Sequence, residues 1–102
     1  MTALTVEIIA DFEDDEELEA AEWDLCSPDT SYGHNVCRYQ SSEGKGKSFT
    51  AKNETQIETI KVMDGSWYLT ITAKNGGVTG RVYTTKETRK VDPQVPVFLD
   101  AS

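Results

Sequence analysis

Apolar and polar positions alternate along this chain in short runs, each closed by turn residues. The clearest run is SWYLTITA from Ser66 to Ala73, where Trp67, Leu69 and Ile71 alternate with Tyr68, Thr70 and Thr72. Alternation with period two predicts a half-buried strand. Asp64-Gly65 precedes it and Asn75-Gly76-Gly77 follows it, both turn signals. Residues 4–10, LTVEIIA, are rich in β-branched side chains and predict an earlier strand. VCRYQ at 36–40 and SFTAK at 48–52 flank the Gly-containing SSEGKGK and predict a hairpin. ETQIETIKVM at 54–63 and GRVYTTKE from Gly80 add two more strands. VPVFL at 95–99 predicts an edge strand, because proline is tolerated there and not in a sheet centre. Six or seven short strands point to an all-β sandwich or small barrel.

One stretch resists this pattern. DFEDDEELEAAEWDL at 11–25 places Phe12, Leu18, Ala21 and Leu25 on a broken apolar stripe. It reads as a short helix with acids near its start, or as a solvated acidic loop. Trp23 stands among acids here and is read as a cap on one end of the sandwich.

The length of 102 residues predicts one domain, 1–102, and nine aromatic residues supply a small core. No apolar run approaches the ~20 residues of a membrane span. The N-terminus has no basic residue before an apolar segment, so it does not read as a secretory signal. The net charge is −8 and is unevenly placed. Residues 1–37 hold eleven acids and no Lys or Arg; the remainder holds seven acids and ten bases. That balance argues against nucleic-acid binding, which needs a basic surface facing phosphates. The acidic segment is a solvated face or a surface for a basic protein partner. The chain reads as a monomer without a cofactor.

Cys26 and Cys37 are separated by ten residues. In an oxidising compartment they would close a short loop; in the cytosol they would stay reduced. Their presence favours an extracellular over a cytoplasmic setting. His34 between them does not complete a zinc site, because paired ligand spacings are missing. No nucleophile elbow, phosphate loop or metalloprotease spacing occurs, so catalysis is not expected. The Asn53-Glu54-Thr55 sequon would matter only in a secreted protein.

A weak internal repeat links two hairpins. The first reads Tyr39, six residues, then Gly46-Lys47-Ser48-Phe49; the second reads Trp67, a strand, then Gly80-Arg81-Val82-Tyr83. Glycine permits the chain to fold back with positive φ, and the following aromatic is expected to point inward. The spacing of Tyr39 and Gly46, with IETIKVMDGSW at 57–67, resembles the βγ-crystallin Greek-key motif. Gly80 would then be the fold-back glycine of a second motif, stretched by Asn75-Gly76-Gly77. The resemblance covers about residues 38–85 and is nearest the small single-domain microbial and fungal members. It implies a Greek-key sandwich with a structural, storage, developmental or stress-related role. The family's calcium segment aligns with Glu54–Thr59, which lacks both leading Asp/Asn residues and carries Glu58 in place of a hydroxyl. The resemblance therefore implies a degenerate calcium site with no tight binding. The acid run lacks the glycine of an EF-hand loop.

A second resemblance is to the Src-homology peptide-binding barrel, with an acidic loop after the first strand and a Trp-led strand ending in G-x-x-G. It implies that Phe12, Trp67 and Tyr83 would line a groove for proline-rich peptides. A small-barrel binding module or an acidic inhibitor is thus the alternative to the structural role.

Overall fold

The computed structural model describes residues 1–28, 36–40, 46–73 and 77–102, apart from the side chain of Glu16. Its elements are β1 (Thr2–Ala10), α1 (Asp15–Ala20), β2 (Glu22–Ser27), β3 (Val36–Tyr39), β4 (Lys47–Ser48), β5 (Thr55–Val62), β6 (Gly65–Thr72), β7 (Val78–Tyr83), β8 (Thr88–Lys90) and β9 (Val97–Ala101). They form two antiparallel sheets. One has the order β5-β1-β7-β8; the other has the order β3-β2-β6-β9, with β4 also paired to β2. The expected all-β class is present, and its two sheets suit a sandwich.

Alternation builds the core. Leu4, Val6, Ile8 and Ala10 of β1 are fully buried and share one cluster with Trp67, Leu69 and Ile71 of β6. Val82 of β7 and Leu99 of β9 join them. The intervening side chains point to the two outer faces, the division that a pleated strand imposes.

The acidic stretch divides into two elements. Asp14 caps α1, its Oδ1 accepting from the Glu17 amide at 2.9 Å. The carboxylate satisfies an amide that the first helical turn leaves without a partner. Helix α1 lasts only six residues. The chain then enters β2, a strand that the reading of 11–25 as helix or loop did not anticipate. Trp23 does not cap the sandwich: it is 0% exposed in the core, with Glu22 and Asp24 on the opposite side of β2. Three residues of alternation among acids carry too little period to separate a strand from a helix end.

Strand β2 also explains why 36–52 is not a hairpin. β3 pairs with its C-terminal half (Leu25↔Tyr39, Cys26↔Cys37), and β4 pairs with its start (Glu22↔Ser48, Trp23↔Lys47). Both run antiparallel to β2 along one edge, so the chain keeps its direction from β3 to β4. β4 spans two residues, with turn structure at 51–53, and Asn53 takes the left-handed φ of 60°. VPVFL does yield an edge strand, shifted to Val97–Ala101 and beginning just after Pro96. The short β8 was also not anticipated.

Gly80 has the expected positive φ, 146°, but it lies inside β7 rather than at the fold-back. It pairs with Ile8, and a Cβ built on it would stand 2.0 Å from the Glu7 carbonyl oxygen. Its own carbonyl accepts from the Val91 amide at 3.1 Å. β1 therefore approaches Gly80 more closely than any side chain permits.

Cys26 and Cys37 are directly opposed across β2 and β3, with Cα atoms 4.0 Å apart, and form a disulfide. Neither cysteine is free. Thiol titration should find no reactive group until reductant and denaturant are added. Reduction should cost about 2–3 kcal/mol in the chain-entropy picture, which lowers the melting temperature by roughly 10–20 °C for a domain of this size. An unchanged melt in reductant would mean that the cross-link does little for the fold.

Candidate functional site

A polar concavity opens between β4 and β5, one strand from each sheet. It is lined by Gly46, Lys47, Ser48, Glu54, Gln56 and Glu58, among others. The alternation of β5 explains the site. Ile60 and Val62 bury the C-terminal half of its inner face, while Gln56 and Glu58 occupy the same face toward its start. The inner face thus changes from apolar to polar where the sandwich opens.

Gln56 links the sheets. Its Oε1 accepts from the Trp23 indole Nε1 at 2.8 Å, and its Nε2 donates to the Ser48 carbonyl at 2.9 Å. The same Nε2 lies 3.2 Å from Glu54 Oε2. Lys47 Nζ meets Glu58 Oε1 at 2.9 Å and lies over the Tyr39 ring, 5.3 Å from its centroid. Tyr39 in turn packs edge-on against Trp23 at 5.0 Å. Farther along, the Arg38 guanidinium donates to the Lys61 carbonyl. Four of these contacts run from one sheet to the other: Trp23–Gln56, Ser48–Gln56, Lys47–Glu58 and Arg38–Lys61. The groove is a seam.

Glu54 is held by its own turn. The Thr50 amide donates to Oε2 at 2.9 Å and the Thr50 hydroxyl to Oε1 at 3.0 Å. The Thr50 amide bond is the main reason its carboxyl is held below the usual glutamate value. Hydrogen bonding to Glu58 likewise raises the Lys47 ammonium above its ordinary value. A depressed folded pKa contributes stability above the unfolded value and loses it as pH falls through the folded one. Acidification below about 4.5, the ordinary glutamate value, should therefore weaken the fold. Glu54→Gln should be less stable at neutral pH and show a flatter loss between about pH 5 and 3 in a thermal-melting series. Identical pH profiles for the two proteins would show that this carboxylate is not held by the turn.

The remaining residues singled out in the sequence are dispersed. Phe49 is buried and stacks edge-on with Phe12 at 5.7 Å, and Trp67 is buried with its Nε1 donating to the Met63 carbonyl at 2.8 Å. Tyr83 does not point inward: it pairs with Thr5 on the outer face, its ring under the Arg81 guanidinium at 4.5 Å, while Val82 enters the core. Phe12 and Trp67 in the core and Tyr83 outside do not share a groove, so the peptide-binding site expected of a Src-homology barrel is not assembled. Gly46 and Ser48 line the seam. His34 lies outside the described residues. Among the described residues, no group of three or more His, Cys, Asp or Glu side chains is placed to hold a metal. No helix among them is long and apolar enough to cross a membrane.

The sequence reading missed Gln56 and Trp23 as partners. Their side chains are 33 residues apart in the chain, and only a spacing that makes Gln56 an inward position of β5 hints at the role.

The fold and the seam define a disulfide-linked, two-sheet antiparallel β protein. No protein-family model matches the chain, and neither a curated protein nor a solved structure matches it.

Proposed function

We propose that the protein does non-enzymatic work as a stable structural or storage sandwich, with developmental or stress-related use as its setting. The observation that carries this reading is the engagement of the seam. Glu54, Gln56 and Glu58 of the calcium-like segment are committed to the turn or to the opposite sheet. Calcium takes six to eight oxygens at about 2.3–2.6 Å, and recruiting these carboxylates would release Glu54 from the turn and break the Lys47–Glu58 contact between the sheets. The seam thus serves cohesion in place of ligand exchange.

The finer reading is a Greek-key sandwich of the βγ-crystallin type with a degenerate calcium site. It is supported by residues 57–67, where β5 leads through Gly65, with φ at 139°, to the buried Trp67. The Tyr39–Gly46 hairpin gives it no support, since β3 and β4 share one edge of β2. Melting followed during calcium titration tests the proposal. The expected result is a shift below about 2 °C at millimolar calcium; a rise of more than about 10 °C would require a saturable site worth over 1 kcal/mol and overturn it.

A further inference from the structure

We propose that Asn53 carries an N-linked glycan whose first sugars cover the exposed apolar pair Ile9 and Ile57. Asn53-Glu54-Thr55 is an acceptor sequence for such a sugar, with no proline at its middle position. Three residues alone do not make a site. Their placement, the cross-link and the neighbouring surface carry the assignment.

Asn53 is exposed in the turn that leads into β5, and Thr55, also exposed, is the first residue of that strand. Among the described residues, no hydrogen bond or ion pair engages the side chain of either one. The Glu54 carboxylate between them is tied back to Thr50. The acceptor amide and the hydroxyl two residues on therefore have nothing over them. Sugar is added to the emerging chain, so the folded protein has only to leave the position uncovered. Cys26 and Cys37, the two cysteines of the chain, are joined. Disulfides form and persist along the secretory route, where N-linked sugars are also attached.

The surface beside the turn is apolar. Ile9 stands directly across from Thr55, and Ile57 follows Thr55 by two residues on the same face, about 7 Å along the strand. Ile9 is 40% exposed and Ile57 59% exposed. Thr55 and Thr79, the two cross-strand neighbours of Ile9, border the pair with hydroxyls. Sugar rings present apolar C–H faces and hydroxyls together, which suits isoleucines set among threonines. The attachment transfers an oligosaccharide from a lipid diphosphate donor. A bond forms between Asn53 Nδ2 and the first sugar carbon, the bond from that carbon to the diphosphate oxygen breaks, and Nδ2 gives up one proton to a base of the transferase. A glycan at Asn53 goes beyond the structural role proposed above and does not rest on it: calcium-dependent melting tests that role, and glycopeptide mass tests the sugar.

Mass spectrometry of the full-length protein tests the proposal, on material purified from the cells that make it and from a eukaryotic host that secretes it. Most of the protein should carry the mass of an oligosaccharide. A peptide-N-glycosidase should remove it and leave aspartate at position 53, at a level that untreated protein does not show. Asn53→Gly suits the left-handed φ of 60° and removes the acceptor amide. Thr55→Val keeps a β-branched strand residue and removes the hydroxyl. Both should match the wild type in circular dichroism and lose the sugar, while Thr55→Ser should keep it. Enzymatic release of the sugar should lengthen retention on an apolar column, and Ile57→Ser should shrink that change. An unmodified Asn53 in either preparation, or a retention change that is the same with Ile57→Ser, would overturn the proposal.

Discussion

Gly80→Ala should abolish the fold or leave it barely stable. The added Cβ would meet the Glu7 carbonyl oxygen at 2.0 Å, the Ile8 Cα at 2.9 Å and the Glu7 carbonyl carbon at 3.0 Å. All three are backbone atoms of β1, the strand that holds β5 and β7 together. No rotamer can relieve such a clash. The φ of 146° adds its own cost, since that region is essentially confined to glycine. Together these predict a loss above about 4 kcal/mol, much of the roughly 5–15 kcal/mol available to a small domain. The melting temperature should fall by about 20 °C or more. Gly77→Ala is the control: φ there is 76°, and the new Cβ would approach the Asp11 carbonyl oxygen at 3.0 Å and the Phe12 ring at 3.3 Å. It should be damaging but milder. Equal melts for the wild type and Gly80→Ala would show that β1 and β7 do not approach as described.

Trp23→Ala should produce the second-largest loss. Trp23 is fully buried and touches Tyr39, and its indole nitrogen donates to Gln56. Removing a buried indole leaves a cavity and costs about 3–5 kcal/mol. The side chain also supplies one of the links between sheets, so the Gln56 side-chain carbonyl would lose its donor. Trp23→Phe brings the second effect forward, because it removes the donor while keeping most of the apolar volume. A loss of about 1–2 kcal/mol is expected for it. Chemical denaturation of the three proteins checks the order. A Trp23→Ala protein within about 1 kcal/mol of the wild type would return Trp23 to the periphery.

The strands that alternate cleanly are legible in the sequence. β1, β5, β6 and β9 follow from β-branched or alternating residues between turn signals, and Pro96 marks β9 as an edge. β2 is not legible, because Glu22 and Asp24 extend an acidic run whose earlier part is helical. Without β2, the segments that become β3 and β4 have only each other as partners, which yields the false hairpin at 36–52. Gly80 is legible as a residue with positive φ. Its place inside β7 is not, because a strand boundary two residues earlier leaves the local composition unchanged. That same register decides Tyr83: a one-residue shift exchanges inner and outer faces, and Val82 takes the inward position. Spacing alone leaves the disulfide open, and the cross-strand pairing of Cys26 with Cys37 settles it. Most of the seam is hidden for a different reason. Gln56, Ser48 and Trp23 come together only when β5 of one sheet crosses the edge of the other, a long-range fact with no local signature.

The polar groove joins the two sheets through side chains that belong to different strands of each. A double-mutant cycle on Trp23→Phe and Gln56→Ala, read by urea denaturation, isolates that link. A coupling of about 1–2 kcal/mol is expected between these residues of different sheets, within the range found for groups in contact. A coupling indistinguishable from zero, with both single variants as stable as the wild type, would mean that the groove does not hold the sheets together.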